Sequence, residues 1–216
     1  SLIDCYRLNG EQLWRINLGK NIRAGAHYTQ FMVYDLDNDG KAEIVMRTAD
    51  GSIDGKGNVI GDATADYREP GEMYTPRKKK GDTGPPHRDS AIRDVYFKGK
   101  NTYRILRHDG EALQSIEYIP QRGELKGWGD NRANRSDRFL ACIAYLDGIH
   151  PSVVMGRGYY ARTVLAAFNW DGKNLKNHWT FDTDQPGNEH FAGQGNHNLR
   201  VADIDGDGCD EIVYGS

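Results

Sequence analysis

Two nine-residue stretches carry the most legible chemistry in this sequence. In Asp35-Leu-Asp-Asn-Asp-Gly-Lys-Ala-Glu43, carboxylates stand at positions 1, 3, 5 and 9, with Gly40 at position 6. Asp203-Ile-Asp-Gly-Asp-Gly-Cys-Asp-Glu211 repeats each of those positions. Carboxylates wrapped so closely on one turn repel one another unless a cation sits among them. Ca2+ accepts about six to eight oxygens in flexible geometry, a backbone carbonyl at position 7 among them. Asp35, Asp37, Asp39, Lys41 and Glu43 therefore make one expected calcium set, and Asp203, Asp205, Asp207, Cys209 and Glu211 a second. Lys41 and Cys209 would contribute main-chain oxygens. Such ions staple a fold rather than run a reaction. Asp147, followed by Gly148 and His150, is a degenerate copy at which no ion is expected, while Asp50, Asp54, Asp62 and Asp66 offer a weaker scatter for a further ion.

Four other segments are more polar and aromatic than packing requires: 20–30, 134–138, 157–162 and 193–198. Guanidinium groups match carboxylates, so Arg23, Arg138, Arg157 and Arg162 point to an acidic ligand. Tyr159 and Tyr160 suit stacking on a sugar ring, and Asn196 can hydrogen-bond to it. His27 and His197 are each open to three readings, as a base, a metal ligand or a packing residue. The competing assignment gives all these side chains to hydrogen bonds between sheets. On a straight strand Arg157 and Tyr159 face one way while Tyr160 and Arg162 face the other. Both arginines reach one ligand only if the chain bends at Gly158 or at the tyrosine pair. No GxSxG, P-loop, HExxH or Cys–His pattern is present.

Internal repeats supply the elements that must hold these groups. Asn9-Gly-Glu-Gln-Leu recurs as Asp109-Gly-Glu-Ala-Leu and, more loosely, as Asp171-Gly-Lys-Asn-Leu, each after a short apolar run. An Asn-Gly or Asp-Gly between two such runs is a strong hairpin signal. The acidic turns at 35–43 and 203–211, and the degenerate copy at 147–150, each lie between two further strand-like runs. An Asn/Asp-Gly hairpin followed by an acidic hairpin predicts four strands per unit, the blade of a β-propeller. Roughly three such units are visible, too few to close a ring of about four to eight blades. The expectation is an all-β chain forming three to four blades of a larger propeller, with a Gly-, Pro- and Lys-rich insertion over 61–100. A β-solenoid is the structural alternative.

Composition narrows the partners. Lys and Arg number 28 against 31 acidic residues, giving a net charge of −3, which disfavours nucleic acid and a polybasic membrane patch. No apolar run approaches the roughly 18 residues that a membrane span needs. The acidic residues divide into 22 Asp and only 9 Glu beside 26 Gly, a turn-forming composition that excludes helical bundles. Cys5, Cys142 and Cys209 show no CxxC, so neither a disulfide framework nor a zinc site is expected.

Several long motifs carry a family resemblance: Leu13–Phe31, Asn134-Arg-Ser-Asp-Arg-Phe-Leu-Ala, His150–Ala166 and Gly193-Gln-Gly-Asn-His-Asn-Leu. They resemble the rhamnogalacturonan lyases of polysaccharide lyase family 11, over nearly the whole chain outside 67–101. The resemblance implies an eight-bladed, calcium-containing propeller that cuts the rhamnogalacturonan I backbone of pectin by β-elimination. It implies an acidic pectic polysaccharide as partner, a secreted or periplasmic location, and a monomer when full-length. Complete members are far longer. On this reading Arg157 joins His27 or His197 as the catalytic candidates, with Arg23, Tyr159, Tyr160, Arg162 and Asn196 contacting sugar. A non-catalytic, calcium-stabilised carbohydrate- or protein-binding fragment is the alternative.

Overall fold

The computed structural model describes residues 1–25, 28–68, 102–129 and 133–215. His27 and most of the expected 61–100 insertion lie outside them. The described residues are all-β, with fourteen strands and two short 3-10 turns at Leu125–Trp128 and Glu189–Phe191.

The strands group into four sheets. The first holds β1 (Leu2–Tyr6), β2 (Gln12–Asn17), β5 (Ser52–Ile53) and β6 (Val59–Ile60); the second holds β3 (Phe31–Tyr34), β4 (Glu43–Thr48), β7 (Thr102–Leu106) and β8 (Ala112–Glu117). The third runs β9 (Phe139–Ala144), β10 (Ser152–Arg157), β11 (Val164–Trp170), β12 (Leu175–Asp182). The fourth is the hairpin β13 (Leu199–Ala202) and β14 (Glu211–Tyr214). Every neighbouring pair is antiparallel.

The unit boundary differs from the sequence expectation. The acidic hairpin β3–β4 and its degenerate copy β9–β10 each share a sheet with the Asp-Gly hairpin that follows, not the one before: β4 pairs with β7, and β10 with β11. The cause is visible in the third sheet, where only 158–163 separate β10 from β11, short enough to force antiparallel neighbours. At the glycine turns, Gly10 (φ +90°) and Gly110 (φ +82°) take left-handed backbone. Each donates its N–H to the carbonyl three residues back, and a bulge follows in the adjoining strand. This is the three-residue loop that a glycine in that region permits.

Successive sheets pack face to face. Alternate residues of β4 serve two neighbours: Ile44 and Met46 meet Ile16 and Leu18 of the first sheet's side, while Val45 meets Phe139, Val153 and Met155 of the third. β10 does the same, sending Val154 into the contact with Leu199 and Ile212. Being covered on both faces, β4 and β10 are buried throughout, which is why their middles, Ile44–Met46 and Val153–Met155, read as continuous apolar runs. Their ends carry the loops that matter below.

Candidate functional site

The 157–162 segment does bend. Gly158 has φ +84° and Tyr160 φ +58°, so β10 turns away after Arg157. A side chain at Gly158 would have no room, since a Cβ would lie 2.3 Å from the Arg162 carbonyl oxygen and 2.6 Å from the Trp128 ring. The turn is pinned from outside as well. Gly158 N–H donates to the Arg138 carbonyl at 2.9 Å, Tyr160 N–H to Gly195 at 3.0 Å, and Gly193 N–H to Ala161 at 2.8 Å. Tyr214 Oη donates to the Gly158 carbonyl at 3.1 Å. Loops 134–138, 157–162 and 193–198 are thereby drawn together at one end of the third and fourth sheets.

Aromatic rings meet there. Tyr159 and Tyr160 lie 4.3 Å apart between centroids, and His197 stands edge-on to both, at 5.2 and 5.5 Å. Tyr159 is buried and accepts a hydrogen bond from Asn134 Nδ2 at 3.1 Å, whereas Tyr160 is 45% exposed and its Oη donates to Asn196 Oδ1 at 3.0 Å. Arg138 lies over Tyr159 at 5.1 Å and over Tyr28 at 5.4 Å. Its Nη2 touches Asn134 Oδ1 at 3.4 Å, while Nε and Nη1 have no hydrogen-bond partner. A small hollow of about 20 Å3 separates Arg138, Gly158, Tyr159, Asn196 and His197. A half-exposed tyrosine and an exposed histidine form one polar, aromatic surface, with the Arg138 cation packed beneath it and its Nε and Nη1 closed off from solvent. It can bind an anion and stack on a ring.

Three arginines expected at this surface are held elsewhere. Arg157 is 0% exposed. Its Nε donates to Ser136 O at 2.7 Å, Nη1 to Pro120 O at 3.0 Å, and Nη2 faces Asp137 at 3.4 Å, with Tyr118, Trp128 and Phe139 rings around it. A group so enclosed holds the frame together and cannot clamp a substrate. Arg162 forks onto Asp182 at 3.0 and 2.6 Å, lies 3.3 Å from Asp184 and covers Trp128. Arg23 is buried over Tyr28, donating to its Oη at 3.0 Å and to Ala133 O at 3.3 Å. Beneath it Arg47 donates to the carbonyls of Arg23 and Tyr28. Burial lowers the Arg47 guanidinium to about 10, since a desolvated cation is disfavoured. Of the expected contacts, Tyr159, Tyr160, Asn196 and His197 converge; Arg157, Arg162 and Arg23 form the supporting frame. Trp128, the floor under Gly158, gave no local sequence signal.

The acidic turns adopt matching conformations. Asp35 accepts N–H bonds from Asp39 and Gly40, and Glu43 accepts Leu36 N–H at 3.0 Å. Likewise Asp203 accepts from Gly206 and Gly208, and Glu211 accepts Ile204 N–H at 2.8 Å. Lys41 N–H and Cys209 N–H donate to Asp39 and Asp207. Carboxylate oxygens of Asp35, Asp37 and Asp39 lie within 4.8 Å of one another, as do those of Asp203, Asp205 and Glu211. Asp37 Oδ1 is buried with no hydrogen-bond partner, and burial, with Asp37, Asp39 and Asp35 nearby, raises the Glu43 carboxyl above its usual range. An orphaned buried oxygen beside crowded carboxylates fits a hard cation. The scatter at 50–66 does not converge: Asp54 accepts main-chain N–H groups of Lys56, Asn58 and Ala112, Asp50 binds Tyr67, and Asp66 binds Arg68. Asp147 is engaged by His150.

The model of rhamnogalacturonan lyase family 11, C-terminal domain, matches residues 1–216, and the chain belongs to this family. It is 57% identical over its full length to the rhamnogalacturonan exolyase YesX of Bacillus subtilis, and 55% identical to the rhamnogalacturonan endolyase YesW of the same organism. Those matches take up 32% and 31% of the relatives, so the chain spans about a third of their length. Among solved structures, the Bacillus licheniformis rhamnogalacturonan lyase PL11 superposes with a TM-score of 0.85 at 55% identity, over 99% of this chain and 33% of that one.

Proposed function

We propose that this chain forms part of the substrate cleft of a calcium-stabilised rhamnogalacturonan lyase built as a β-propeller, acting on acidic pectic polysaccharide by β-elimination at galacturonate. The observation that carries the reading is the Arg138–Tyr159–Tyr160–His197 surface. β-Elimination removes the C5 proton of galacturonate, forms the C4–C5 double bond and expels the C4 oxygen with the bonding electron pair. A cation must offset the C6 carboxylate, whose charge opposes loss of that proton, and a base must take it. Arg138, packed against Tyr159, supplies the positive charge. His197 is positioned as the base, held against Tyr159 and Tyr160, and Tyr160 with Asn196 supports the ring. Calcium at the two acidic turns would be held by Asp35, Asp37, Asp39 and Glu43 and by Asp203, Asp205, Asp207 and Glu211, with carbonyls of Lys41 and Cys209, and would fix those loops. A secreted or periplasmic location suits both a polymer substrate and loops of modest calcium affinity.

One observation favours a second reading. The hollow at this surface is only about 20 Å3, so the surface is an open wall rather than a closed cleft, suited to binding sugar without cleaving it. Incubating the 216-residue chain with rhamnogalacturonan I in calcium separates the two. New ultraviolet absorbance from the conjugated product supports cleavage by this chain, lost in His197→Ala. Binding without that absorbance leaves the non-catalytic reading, and absence of both overturns the proposal.

A further inference from the structure

The Asn/Asp-Gly turn occurs in three copies, and one of them differs at its first residue. Asn9-Gly10 is the sole Asn-Gly pair in the sequence; its counterparts are Asp109-Gly110 and Asp171-Gly172. The three side chains make the same contact. Asn9 Oδ1 accepts Glu11 N–H at 3.0 Å, Asp109 Oδ1 accepts Glu111 N–H at 3.3 Å, and Asp171 Oδ1 accepts Lys173 N–H at 3.0 Å. Asparagine and aspartate both favour this local turn, so its backbone takes a carboxamide or a carboxylate alike.

The surroundings of the first copy suit a carboxylate better. At the second, Arg107 forks onto Asp109 at 3.1 and 2.8 Å and also meets Glu111. That fork holds the Asp109 carboxyl well below the usual carboxylate range. Arg7 and Glu11 stand at the same positions and pair at 2.7 Å. Asn9 offers the Arg7 guanidinium one oxygen, already engaged by Glu11 N–H, and an NH2 group that a cation cannot use.

We propose that Asn9 is a deamidation site, its aspartate product held by Arg7 as Arg107 holds Asp109. The turn contact folds the carboxamide back over the peptide that follows it, bringing Cγ toward Gly10 N, and Glu11 N–H polarises the carbonyl under attack. Gly10 has no Cβ to obstruct approach, and no atom lies within 4 Å of where one would stand. Gly10 N bonds to Asn9 Cγ while the Cγ–Nδ2 bond breaks, and the Gly10 proton leaves with the side-chain nitrogen as ammonia. Water then opens the cyclic imide at one of its two carbonyls, giving aspartate or isoaspartate. Gly10 N–H donates to Arg7 O at 2.9 Å, so that bond must open first, and a turn tip is where local opening costs least. A neighbouring turn does not shut water out: with Lys56 of the first sheet bonded to it at 3.0 Å, the Asp109 side chain is still 27% exposed.

The test ages the 216-residue chain in mildly alkaline buffer and maps it by peptide mass spectrometry. The mass gain of amide-to-acid conversion should accumulate at Asn9 at least tenfold faster than at Asn38 or Asn58, which are exposed but followed by bulkier residues. Asn9→Gln should remove it from that peptide. Asn9→Asp, which installs the product directly, should melt no lower than wild type, and Arg7→Ala should lower its Tm more than that of wild type. Conversion at Asn9 no faster than at Asn38 overturns the proposal. So does an Asn9→Asp chain that melts below wild type, or one that loses no more than wild type to Arg7→Ala.

Discussion

Arg157 and Asp137 face each other at 3.4 Å with their side chains 0% and 3% exposed, and Arg122 approaches the other Asp137 oxygen at 3.6 Å. Truncating the arginine leaves a buried carboxylate underpaired and frees two main-chain acceptors, Ser136 O and Pro120 O. Breaking a buried pair in this way costs about 3–5 kcal/mol. Arg157→Ala should therefore lower denaturant stability by that amount, and Arg157→Lys should recover little, because an ammonium cannot fork across three acceptors. Any loss of sugar binding should follow the unfolded fraction. A variant of normal stability that no longer binds sugar would return Arg157 to the substrate.

What the sequence made legible follows from how local each feature is. The acidic turns are nine contiguous residues, and the turn glycines are set by their own backbone, so both were readable without a fold. The tyrosine pair, His197 and Asn196 can be grouped from the sequence because they cluster in short polar segments. Arg157 was misplaced because its cage lies 20, 21 and 37 residues away, and an arginine flanked by glycines looks the same exposed or enclosed. The Arg162 ion pair is hidden from the sequence in the same way, its partner Asp182 being 20 residues on. The grouping of hairpins failed differently: adjacency along the chain favours β2 with β3, but the 158–163 link already argued for β10 with β11.

Gly158 gives the second prediction. Its φ of +84° and a Cβ position 2.6 Å from Trp128 mean that alanine meets both backbone strain and a clash with an enclosed ring. Gly158→Ala should lose at least about 1–3 kcal/mol, the usual scale for such backbone strain. Because the turn aims Tyr159 and Tyr160, sugar affinity should fall further than stability alone explains. Thermal melts alongside affinity electrophoresis measure both. A variant with unchanged melting and binding would mean that the turn relaxes freely and does not position the tyrosines.

The acidic turns predict a calcium-dependent stability. Asp37→Ala and Asp205→Ala should each lower Tm in calcium and change it little in excess chelator; equal losses in both conditions would refute a metal role. The sign of the pH effect follows from Glu43. Its carboxyl is raised, so protonation favours the metal-free fold; that contribution is complete below about 4.5, its unperturbed value, and is lost as pH rises through the raised value. Calcium must displace the proton, so its affinity should weaken on acidification through the same range. Titrations by calorimetry at two pH values, with the proton release measured, check the direction.

Arg138 carries the last prediction. Its guanidinium is oriented by stacking on Tyr28 and Tyr159, and two of its nitrogens remain without partners. Both nitrogens are shut off from solvent, so a galacturonate carboxylate at the surface meets the guanidinium through its charge, an attraction on the scale of one charge-assisted contact, about 1.5–3 kcal/mol. Arg138→Gln keeps a planar group against the rings but removes the charge, so affinity for rhamnogalacturonan I should fall roughly ten- to hundredfold at low salt, as those energies imply. Carboxyl-reduced polymer isolates the cause, because it offers the same rings without the anion. Wild-type chain should bind it weakly, and Arg138→Gln should bind it no worse than wild type does. An equal loss on both polymers would show that Arg138 only supports the tyrosines, and the carboxylate would then have to be met by another cation.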